Sequence, residues 1–397
     1  MNVTTMLAAL RGVAAYKDLL TQPVMERALR LLSCSAHGDG LGGLEAYTDL
    51  FYQLRAEGQA GLGSWLGDAL RWSEGPYPRL AERGDRDPAL EQAAKLDVSA
   101  FELLASVDCD RWLSHLQRLL DSDYQGVLTS LPRWQRGVPF SFDGLTQAYQ
   151  REGAGRFARY RAFVWEDGAL IPVTHPDCPS STQLLGYDEQ RALVERNTRA
   201  LVEGRHVNNV LLYGESGTGK SATVKNLLTL PGMEELRLIE ADKENLGGLP
   251  ALIRALDGRR QKFIVFIDDL TFDRDDPTYS VLKTILEGGV ERRPQNVAVY
   301  ATSNRRHLVR QTISERAGDE MDRSETIREK TSLADRFGVR ILFQGLNKTE
   351  FLALVDMLAD QNEVSLDREE LHRQAVAWER FHGAQTPRTA LQFILSL

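Results

Sequence analysis

The stretch LLYGESGTGKS, residues 211–221, constrains the fold of this chain more than any other feature. Its apolar start predicts a strand, and the glycine-rich turn that follows fits the pattern GxxxxGK(S/T) from Gly214 to Ser221. A glycine-rich backbone can fold tightly enough to present several N–H donors to one anionic phosphate. The next residues, SATVKNLLTL, predict a helix whose positive end lies at the same point. The stretch therefore predicts a phosphate-binding loop between a strand and a helix.

Every residue of this loop is a candidate for nucleotide binding. The predicted binding residues are Gly214, Glu215, Ser216, Gly217, Thr218, Gly219, Lys220 and Ser221. Lys220 is expected to reach the outer phosphates, and the Ser221 hydroxyl is expected to hold Mg²⁺. The alternative is an ordinary loop of small residues. The predicted strand before the loop and the predicted helix after it favour phosphate binding.

Two carboxylates follow a second apolar run. KFIVFIDDL predicts a buried strand that ends at Asp268 and Asp269. Residues at the carboxyl end of a parallel strand face the ligand crevice of such a sheet. Asp268 is expected to hold Mg²⁺ through water, and Asp269 is expected to polarise the attacking water. The alternative is a solvated acidic turn, because DDLTFDRDD is acidic throughout.

Three later polar side chains are further candidates. Asn304 ends the strand-like run VAVYATSN and could bridge the γ-phosphate and the attacking water, or serve only as a cap or turn. Arg336 could stabilise charge on the transferring phosphoryl group, in its own chain or from a neighbouring subunit, or form an intramolecular salt bridge to Asp335 or another acid. Arg388 follows Pro387 at a predicted helix start and is a candidate for nucleotide binding. The alternative is an ordinary solvated arginine in the first turn of that helix.

One further motif has a structural interpretation. The residues NKTE, from Asn347 to Glu350, resemble a guanine-reading motif of GTPases but end in Glu. Asn followed three residues later by Glu is the pattern of a capping box. The motif therefore predicts the start of a helix and not a base-binding site.

The chain changes character near residue 150. Before that point, apolar residues recur at spacings of three and four, as in residues 44–58 and 110–123, which predicts helices. Residues 156–173 predict a β-hairpin around Glu166-Asp167-Gly168, followed by a proline-rich linker. Apolar runs separated by helical stretches then predict a parallel sheet with helices on both faces. These five runs are NNVLLYG, LRLIEAD, KFIVFIDD, NVAVYATSN and VRILFQG.

The predicted organisation has four parts. These are a mainly helical domain over 1–150, a hairpin and linker over 151–180, an α/β nucleotide-binding core over 181–345 and a small helical lid over 346–397.

Composition narrows the class of protein. A net charge of −8 and a pI near 5.5 count against a dedicated nucleic-acid binder. The three cysteines form no CxxC pair and the seven histidines show no zinc-binding spacing, which favours a reduced, cytoplasmic compartment. No window holds about 18 uninterrupted apolar residues, so no membrane span is expected. The start of the chain predicts an amphipathic helix and not a signal peptide.

The order of these motifs resembles that of AAA+ ATPases. In that superfamily, the phosphate loop, the Asp268-Asp269 pair, Asn304, Arg336 and Arg388 match the positions of Walker A, Walker B, sensor 1, the arginine finger and sensor 2. Upstream, Gly186 matches the residue that begins the helix closing over the adenine base. NNVLLYGESGTGKS, YATSNRRHL and EKTSLADRFG are similar to an uncharacterised bacterial family of predicted AAA+ ATP-binding proteins of unknown function. The resemblance covers about residues 155–397.

This resemblance implies an α/β fold with a five-stranded parallel P-loop core, ATP and Mg²⁺ as cofactors, and a homo-oligomer that could be a ring. Two departures qualify it. Most of the superfamily has Glu where this chain has Asp269. Polypeptide-threading members carry an aromatic pore loop after the second strand, whereas ADKENLGGLPALIRAL offers Leu246 and two glycines.

Three functions are therefore expected in decreasing order. The first is an ATPase that uses hydrolysis at a subunit interface to remodel a macromolecular partner, with a protein client favoured over nucleic acid. The second is an ATP-gated binding module that hydrolyses slowly, which Asp269 would favour. The third is a nucleic-acid loader or motor, for which Arg305 and Arg306 are the local indication.

Overall fold

The computed structural model describes residues 2–272, 277–287, 293–304 and 333–397. Arg305 and Arg306, which carried the nucleic-acid indication, lie outside the described residues. The chain divides into two units, Met1–Arg159 and Tyr160–Leu397.

The first unit is built from α-helices joined by short turns and 3-10 segments. Its helices are α1 (Val3–Arg11), α2 (Pro23–Ala36), α3 (Gly40–Ala56), α4 (Leu62–Arg71), α5 (Pro76–Arg83), α6 (Pro88–Ala105), α7 (Cys109–Gln117), α8 (Gln125–Ser130), α9 (Phe142–Glu152) and α10 (Arg156–Arg159). The predicted helical character is confirmed, although α7 ends earlier than its apolar spacing suggested. Sequence spacing reports which residues can share a helix face but not where a helix stops.

The helices of the first unit enclose one hydrophobic core. Tyr47, Phe101, Trp112 and Tyr149 are among its fully buried large side chains. A carboxylate also lies inside this core. Asp97 on α6 is 3% exposed and accepts backbone N–H bonds from the three residues 14–16. Because a buried carboxylate is costly without donors, these bonds fix the segment after α1 against α6.

The second unit contains a seven-stranded sheet. Its strands are β1 (Ala162–Glu166), β2 (Ala169–Val173), β3 (Val210–Gly214), β4 (Leu236–Ala241), β5 (Lys262–Ile267), β6 (Val297–Ser303) and β7 (Val339–Phe343). They lie in the order β2-β1-β4-β5-β6-β3-β7. All neighbouring pairs are parallel except β1 and β2. The five predicted core strands are thus confirmed as a continuous parallel sheet.

The hairpin extends that sheet beyond the five strands expected. Its turn, Asp167-Gly168, has positive φ at both residues, 49° and 76°, which is the geometry of a two-residue hairpin. Strand β1 pairs in parallel with β4, and Phe163 on β1 is almost fully buried. The hairpin therefore extends one edge of the sheet, where the apolar residues of β1 gain burial beside β4.

Helices flank the sheet and form the lid. They are α11 (Asp188–Val202), α12 (Lys220–Asn226), α13 (Leu249–Leu256), α14 (Pro277–Glu287), α15 (Lys348–Gln361), α16 (Arg368–His382) and α17 (Pro387–Ile394). The last three surround a separate apolar cluster that includes Phe351, Leu371 and Phe393. The capping box predicted at Asn347 and Glu350 is confirmed, with both reciprocal bonds present at 2.9 and 3.0 Å.

Among the described helices of the chain, none combines the length and the apolar character that crossing a membrane requires.

Candidate functional site

The glycine-rich loop leaves β3 and returns as α12 in a shape that needs glycine. Gly214, Gly217 and Gly219 have φ values of 139°, 80° and 88°. A Cβ atom on Gly214 would lie 2.0 Å from the carbonyl oxygen of Phe343, at the end of the neighbouring strand β7. Side chains are therefore excluded where the loop backbone passes closest to the sheet.

Lys220 is folded into this loop. Its side chain is 6% exposed, and Nζ donates hydrogen bonds to the carbonyl oxygens of Gly214 at 3.1 Å and Glu215 at 2.6 Å. Burial lowers the pKa of the ammonium group, and the carboxylates of Asp269 and Asp268 oppose that shift. The loop thus encloses a positive charge that has lost part of its hydration.

Asp268 joins the phosphate loop to the carboxyl end of β5. Its Oδ1 atom accepts hydrogen bonds from Ser221 Oγ at 2.6 Å, Thr302 Oγ1 at 2.5 Å and the Asp269 backbone N–H at 3.1 Å. Hydroxyl and carboxylate oxygens are ligands that Mg²⁺ accepts in proteins. The donor set of Ser221 and Asp268 therefore fits a magnesium ion.

Asp269 and Asn304 are brought together from two adjacent strands. Asn304 Nδ2 donates to Asp269 Oδ1 at 2.8 Å. Asp269 has a φ of 47°, a left-handed conformation that is uncommon outside glycine. Its carboxylate is exposed to the cavity described below, whereas Asp268 is half-buried. The acid predicted to polarise water is therefore the more accessible of the two.

One cavity of about 510 Å³ collects most of the predicted residues. The predicted residues that line it are Gly186, Ser216, Gly217, Thr218, Gly219, Lys220, Ser221, Asp268, Asp269, Asn304 and Arg388. Gly214 and Glu215 contribute the carbonyl groups that hold Lys220. The lid contacts the loop directly, because the Arg388 backbone N–H donates to the Gly217 carbonyl oxygen at 3.3 Å.

Arg336 is placed differently. It is half-buried in the turn before β7 and is not among the residues that line this cavity. Asp335, one of the acids considered as its partner, accepts a hydrogen bond from Arg340 at 2.7 Å. Arg336 therefore does not reach the cavity of its own chain in this arrangement.

The cavity also has apolar lining residues, which sequence reasoning largely missed. Leu185, Tyr187, Phe343, Pro387 and Leu391 line it. The Tyr187 ring lies 5.1 Å from that of Phe343, and its hydroxyl donates to the Gln344 carbonyl oxygen at 2.6 Å. Burial raises the pKa of Tyr187 to about 12. An aromatic residue after Gly186 is the sequence signal that could have indicated this wall.

Thr302 was also missed. It lines the cavity and is 2% exposed, and its hydroxyl is bonded to the two aspartates that follow β5. A threonine inside an apolar strand gives no distinctive signal in the sequence. Its role depends on a neighbour from another strand.

The segment after β4, Lys243–Gly248, is packed against the hairpin. Leu246 has no exposed surface, and a Cβ atom on Gly248 would lie 2.9 Å from the Trp165 ring. The Asp167 backbone N–H donates to Asn245 Oδ1 at 3.2 Å. Leu246, the residue that the sequence offered in place of a pore-loop aromatic, is therefore a core residue.

The glycine-rich loop, the parallel strand order β4-β5-β6-β3-β7 and the helical lid define a P-loop fold of the AAA+ type. The chain belongs to the family described as a protein of unknown function, DUF815, whose match covers residues 158–397. That range begins three residues after the limit predicted for the resemblance.

Solved structures of the Thermotoga maritima RuvB Holliday junction branch migration motor are also similar. One is 16% identical with a TM-score of 0.36, and a single-substitution mutant of it is 15% identical with a TM-score of 0.37. Each comparison covers 54% of this chain, which spans 63% of the length of the solved chain. Among curated proteins, no sequence match is found.

Proposed function

We propose that this chain is an ATPase that couples Mg-ATP hydrolysis to conformational change in a macromolecular partner. The observation that carries the proposal is the convergence of Lys220, Ser221, Asp268, Asp269 and Asn304 on one cavity that also has apolar lining residues. A nucleotide has both kinds of chemistry, with an anionic phosphate chain and an apolar, stacking base.

The phosphate loop would bind the β- and γ-phosphates through its backbone N–H groups and Lys220. The ammonium group now donates to two loop carbonyls, so it can exchange neutral acceptors for anionic ones. The apolar wall that includes Tyr187 and Leu391 would enclose the base, beside Gly186.

Ser221 and Asp268 would hold Mg²⁺. A bound magnesium ion would neutralise charge on the phosphate oxygens. The Ser221 hydroxyl already donates its proton to Asp268 Oδ1, so its oxygen lone pairs are available to a cation.

Asp269 would polarise the attacking water, and Asn304 would position that carboxylate. The 2.8 Å bond between them orients Asp269 Oδ1 before any substrate is bound. Aspartate has a shorter side chain than the glutamate of most AAA+ enzymes, which favours slow turnover.

Arg388 would report the nucleotide state to the lid. Its backbone is bonded to Gly217 and its side chain lines the cavity. Movement of phosphates in the loop would therefore change the position of α17, a small shift that the lid helices can amplify.

Arg336 would act on a neighbouring subunit, which makes the active form a homo-oligomer that could be a ring. Its position outside the cavity of its own chain supports this assignment. Mixing inactive Arg336→Ala and Lys220→Ala subunits should restore part of the activity, because some interfaces then contain both intact residues. Mixtures that stay inactive would contradict the assignment in trans.

We favour a protein client in the cytoplasm. The net charge of −8 argues against nucleic acid, and the buried Leu246 argues against threading of a polypeptide. A slow, ATP-gated binding module is the second candidate, which Asp269 specifically favours.

The Asp269→Asn variant tests the proposal. It should bind ATP as the wild type does and hydrolyse it about 100-fold or more slowly, because the general base is lost. The variant would then be used to capture partners from cell extract in ATP and in ADP, with Lys220→Ala as the control that cannot hold nucleotide. Unchanged hydrolysis in Asp269→Asn would refute the assigned chemistry. ATP-dependent capture of nucleic acid would favour the loader instead.

A further inference from the structure

Thr302 lines the cavity beside Asp268 and Asp269. It lies on β6, directly beside β5, and its hydroxyl contacts both aspartates. Oγ1 donates to Asp268 Oδ1 at 2.5 Å and accepts the Asp269 backbone N–H at 2.9 Å. The backbone of Thr302 is also used, because its carbonyl oxygen accepts from the Leu270 N–H at 2.7 Å.

We propose that Thr302 is a positioning residue that sets the two aspartates for metal and water at once. The proposal rests on the proposed ATPase function. In this proposal, one hydroxyl group aligns both carboxylates. No motif in the sequence indicates this role.

The hydroxyl is suited to this role because it both donates and accepts. Its single proton is directed to Asp268, and a lone pair receives the N–H of Asp269. Three donors, from Ser221, Thr302 and the Asp269 backbone, meet on Oδ1 of Asp268. With these donors gathered on Oδ1, Asp268 would be held in a fixed orientation for a metal ion.

The same hydroxyl supports an unusual backbone conformation. Asp269 has a φ of 47°, and left-handed residues other than glycine persist only when their surroundings hold them. The N–H of Asp269 is bonded to the Thr302 hydroxyl on one side, and its carboxylate is bonded to Asn304 on the other. Without the hydroxyl, the backbone at Asp269 loses the acceptor that fixes the start of its side chain.

Thr302 is anchored rigidly enough for this purpose. It is 2% exposed, so water cannot readily replace its hydroxyl. In the parallel pairing of β3 and β6, Thr302 lies opposite Leu212, two residues before the phosphate loop begins at Gly214. The central strands of the sheet therefore fix Thr302 with respect to the loop that would hold the phosphates.

The test compares Thr302→Val, which keeps the side-chain shape, with Thr302→Ser, which keeps the hydroxyl. Binding of ADP by the full chain is measured over a series of Mg²⁺ concentrations and in EDTA, and kcat and KM for ATP are measured in parallel. Thr198→Val is the matched control. It removes a hydroxyl that is equally buried in this unit but is bonded to Val194 and Tyr300, away from the cavity.

In Thr302→Val, the half-saturating Mg²⁺ concentration should rise about tenfold or more and kcat should fall by a similar factor, as for other losses of a partner behind a metal ligand. ADP binding in EDTA should stay within about twofold of the wild type, because the phosphate loop is unchanged. Thr302→Ser should restore both values, and Thr198→Val should leave them unchanged. If circular dichroism shows that Thr302→Val is unfolded, Thr302→Ala removes the hydroxyl without a second methyl group.

Two results would overturn the inference. A wild-type Mg²⁺ dependence in Thr302→Val, or an equal loss in Thr302→Ser, would show that the hydroxyl does not position the aspartates, and would leave the proposed ATPase function intact. Failure of the wild-type chain to bind nucleotide at any Mg²⁺ concentration would instead refute the proposed function, and this inference with it.

Discussion

Each of the two units contains an aspartate whose carboxylate accepts hydrogen bonds from several donors. The two carboxylates differ in the kind of donor and in their exposure to a cavity. Asp97 in the first unit accepts three backbone N–H groups inside a helical core and is 3% exposed. Asp268 in the second unit accepts two hydroxyls and one N–H, but it is half-buried and lines an open cavity beside Lys220. The hydrogen bonds of Asp97 therefore stabilise the fold of the first unit. A similar number of hydrogen bonds leaves Asp268 available to a ligand.

This difference shows how a carboxylate in a ligand-binding site can be distinguished from a structural carboxylate whose hydrogen bonds are all made within the core. The donors of Asp97 belong to one stretch of backbone, which the carboxylate holds in place. The donors of Asp268 come from α12, from β6 and from the residue that follows Asp268, and they meet at the edge of the cavity. Convergence at the edge of a cavity indicates ligand chemistry more strongly than the presence of a buried charge does.

The strongest test of the comparison makes the same change in both units, starting with Asp268→Asn. The amide oxygen can still accept the three hydrogen bonds, so the free energy of unfolding should change by less than about 1 kcal/mol. ATP turnover at fixed Mg²⁺ should fall on the order of 100-fold, because the residue proposed to hold the metal loses its negative charge. Turnover within a few-fold of the wild type would break the distinction between the two aspartates.

Asp97→Asn should have the opposite outcome. One side of the new amide is an NH₂ donor, and Oδ1 and Oδ2 of the native carboxylate both lie within 3.2 Å of the Ala14 N–H. Loss of charge and a donor facing a donor should lower the free energy of unfolding by about 2 kcal/mol. ATP turnover of the folded protein should be unchanged. Chemical denaturation and a turnover assay on the same sample check both parts, and a turnover loss without destabilisation would contradict the structural role.

A smaller effect is expected from Gly217→Ala, which tests contact between the loop and the lid. A Cβ atom there would lie 3.0 Å from Thr386 Oγ1 and 3.1 Å from the Arg388 Cβ, at a φ of 80°. The lid should be displaced and ATP affinity should fall about tenfold, the equivalent of the ~1.4 kcal/mol that such crowding and strain can cost.

Gly204→Ala is the matched control for that variant. Gly204 has a similar φ of 74°, but a Cβ atom would meet no other atom within 4 Å. Both variants should lose similar stability, and only Gly217→Ala should lose affinity in a direct binding measurement. Equal losses of ATP affinity in the two variants would show that backbone strain alone, and not contact between the loop and the lid, causes the loss.

The smallest effect concerns pH. Burial lowers the pKa of Lys220 in the free protein, and bound phosphates would favour its charged form. As pH rises through the lowered pKa, the ammonium group deprotonates before ATP binds, so binding must take up a proton and affinity falls, by up to about tenfold per pH unit. Lys220→Arg keeps its charge over the same range and should flatten this decline in a titration series. A pH-independent affinity in the wild type would contradict the role of Lys220.

The sequence predicted the parts of this molecule that depend on local pattern. The five core strands follow from apolar runs, and the loop residues from Gly214 to Ser221 follow from glycine spacing. The pairing of the hairpin with β4 could not be predicted, because the partner of an edge strand depends on which distant surface buries Phe163. The end of α7 at Gln117 is similarly decided by packing.

The same limit applies to the site. Lys220, Asp268 and Asn304 each end a recognisable run, so their meeting could be predicted from the parallel sheet. Thr302 lies within a run, and its proposed role depends on contact with Asp268, 34 residues away. The apolar wall at Tyr187 combines segments from both ends of the unit, so no single stretch of sequence indicates it.

The most direct test of the account is a calorimetric titration of the full chain with Mg-ATP. We expect one saturable site per chain and its loss in Lys220→Ala, with Gly204→Ala binding as the wild type does. Absence of binding in the wild type, or unchanged affinity in Lys220→Ala, would contradict the central claim that this cavity is a nucleotide site.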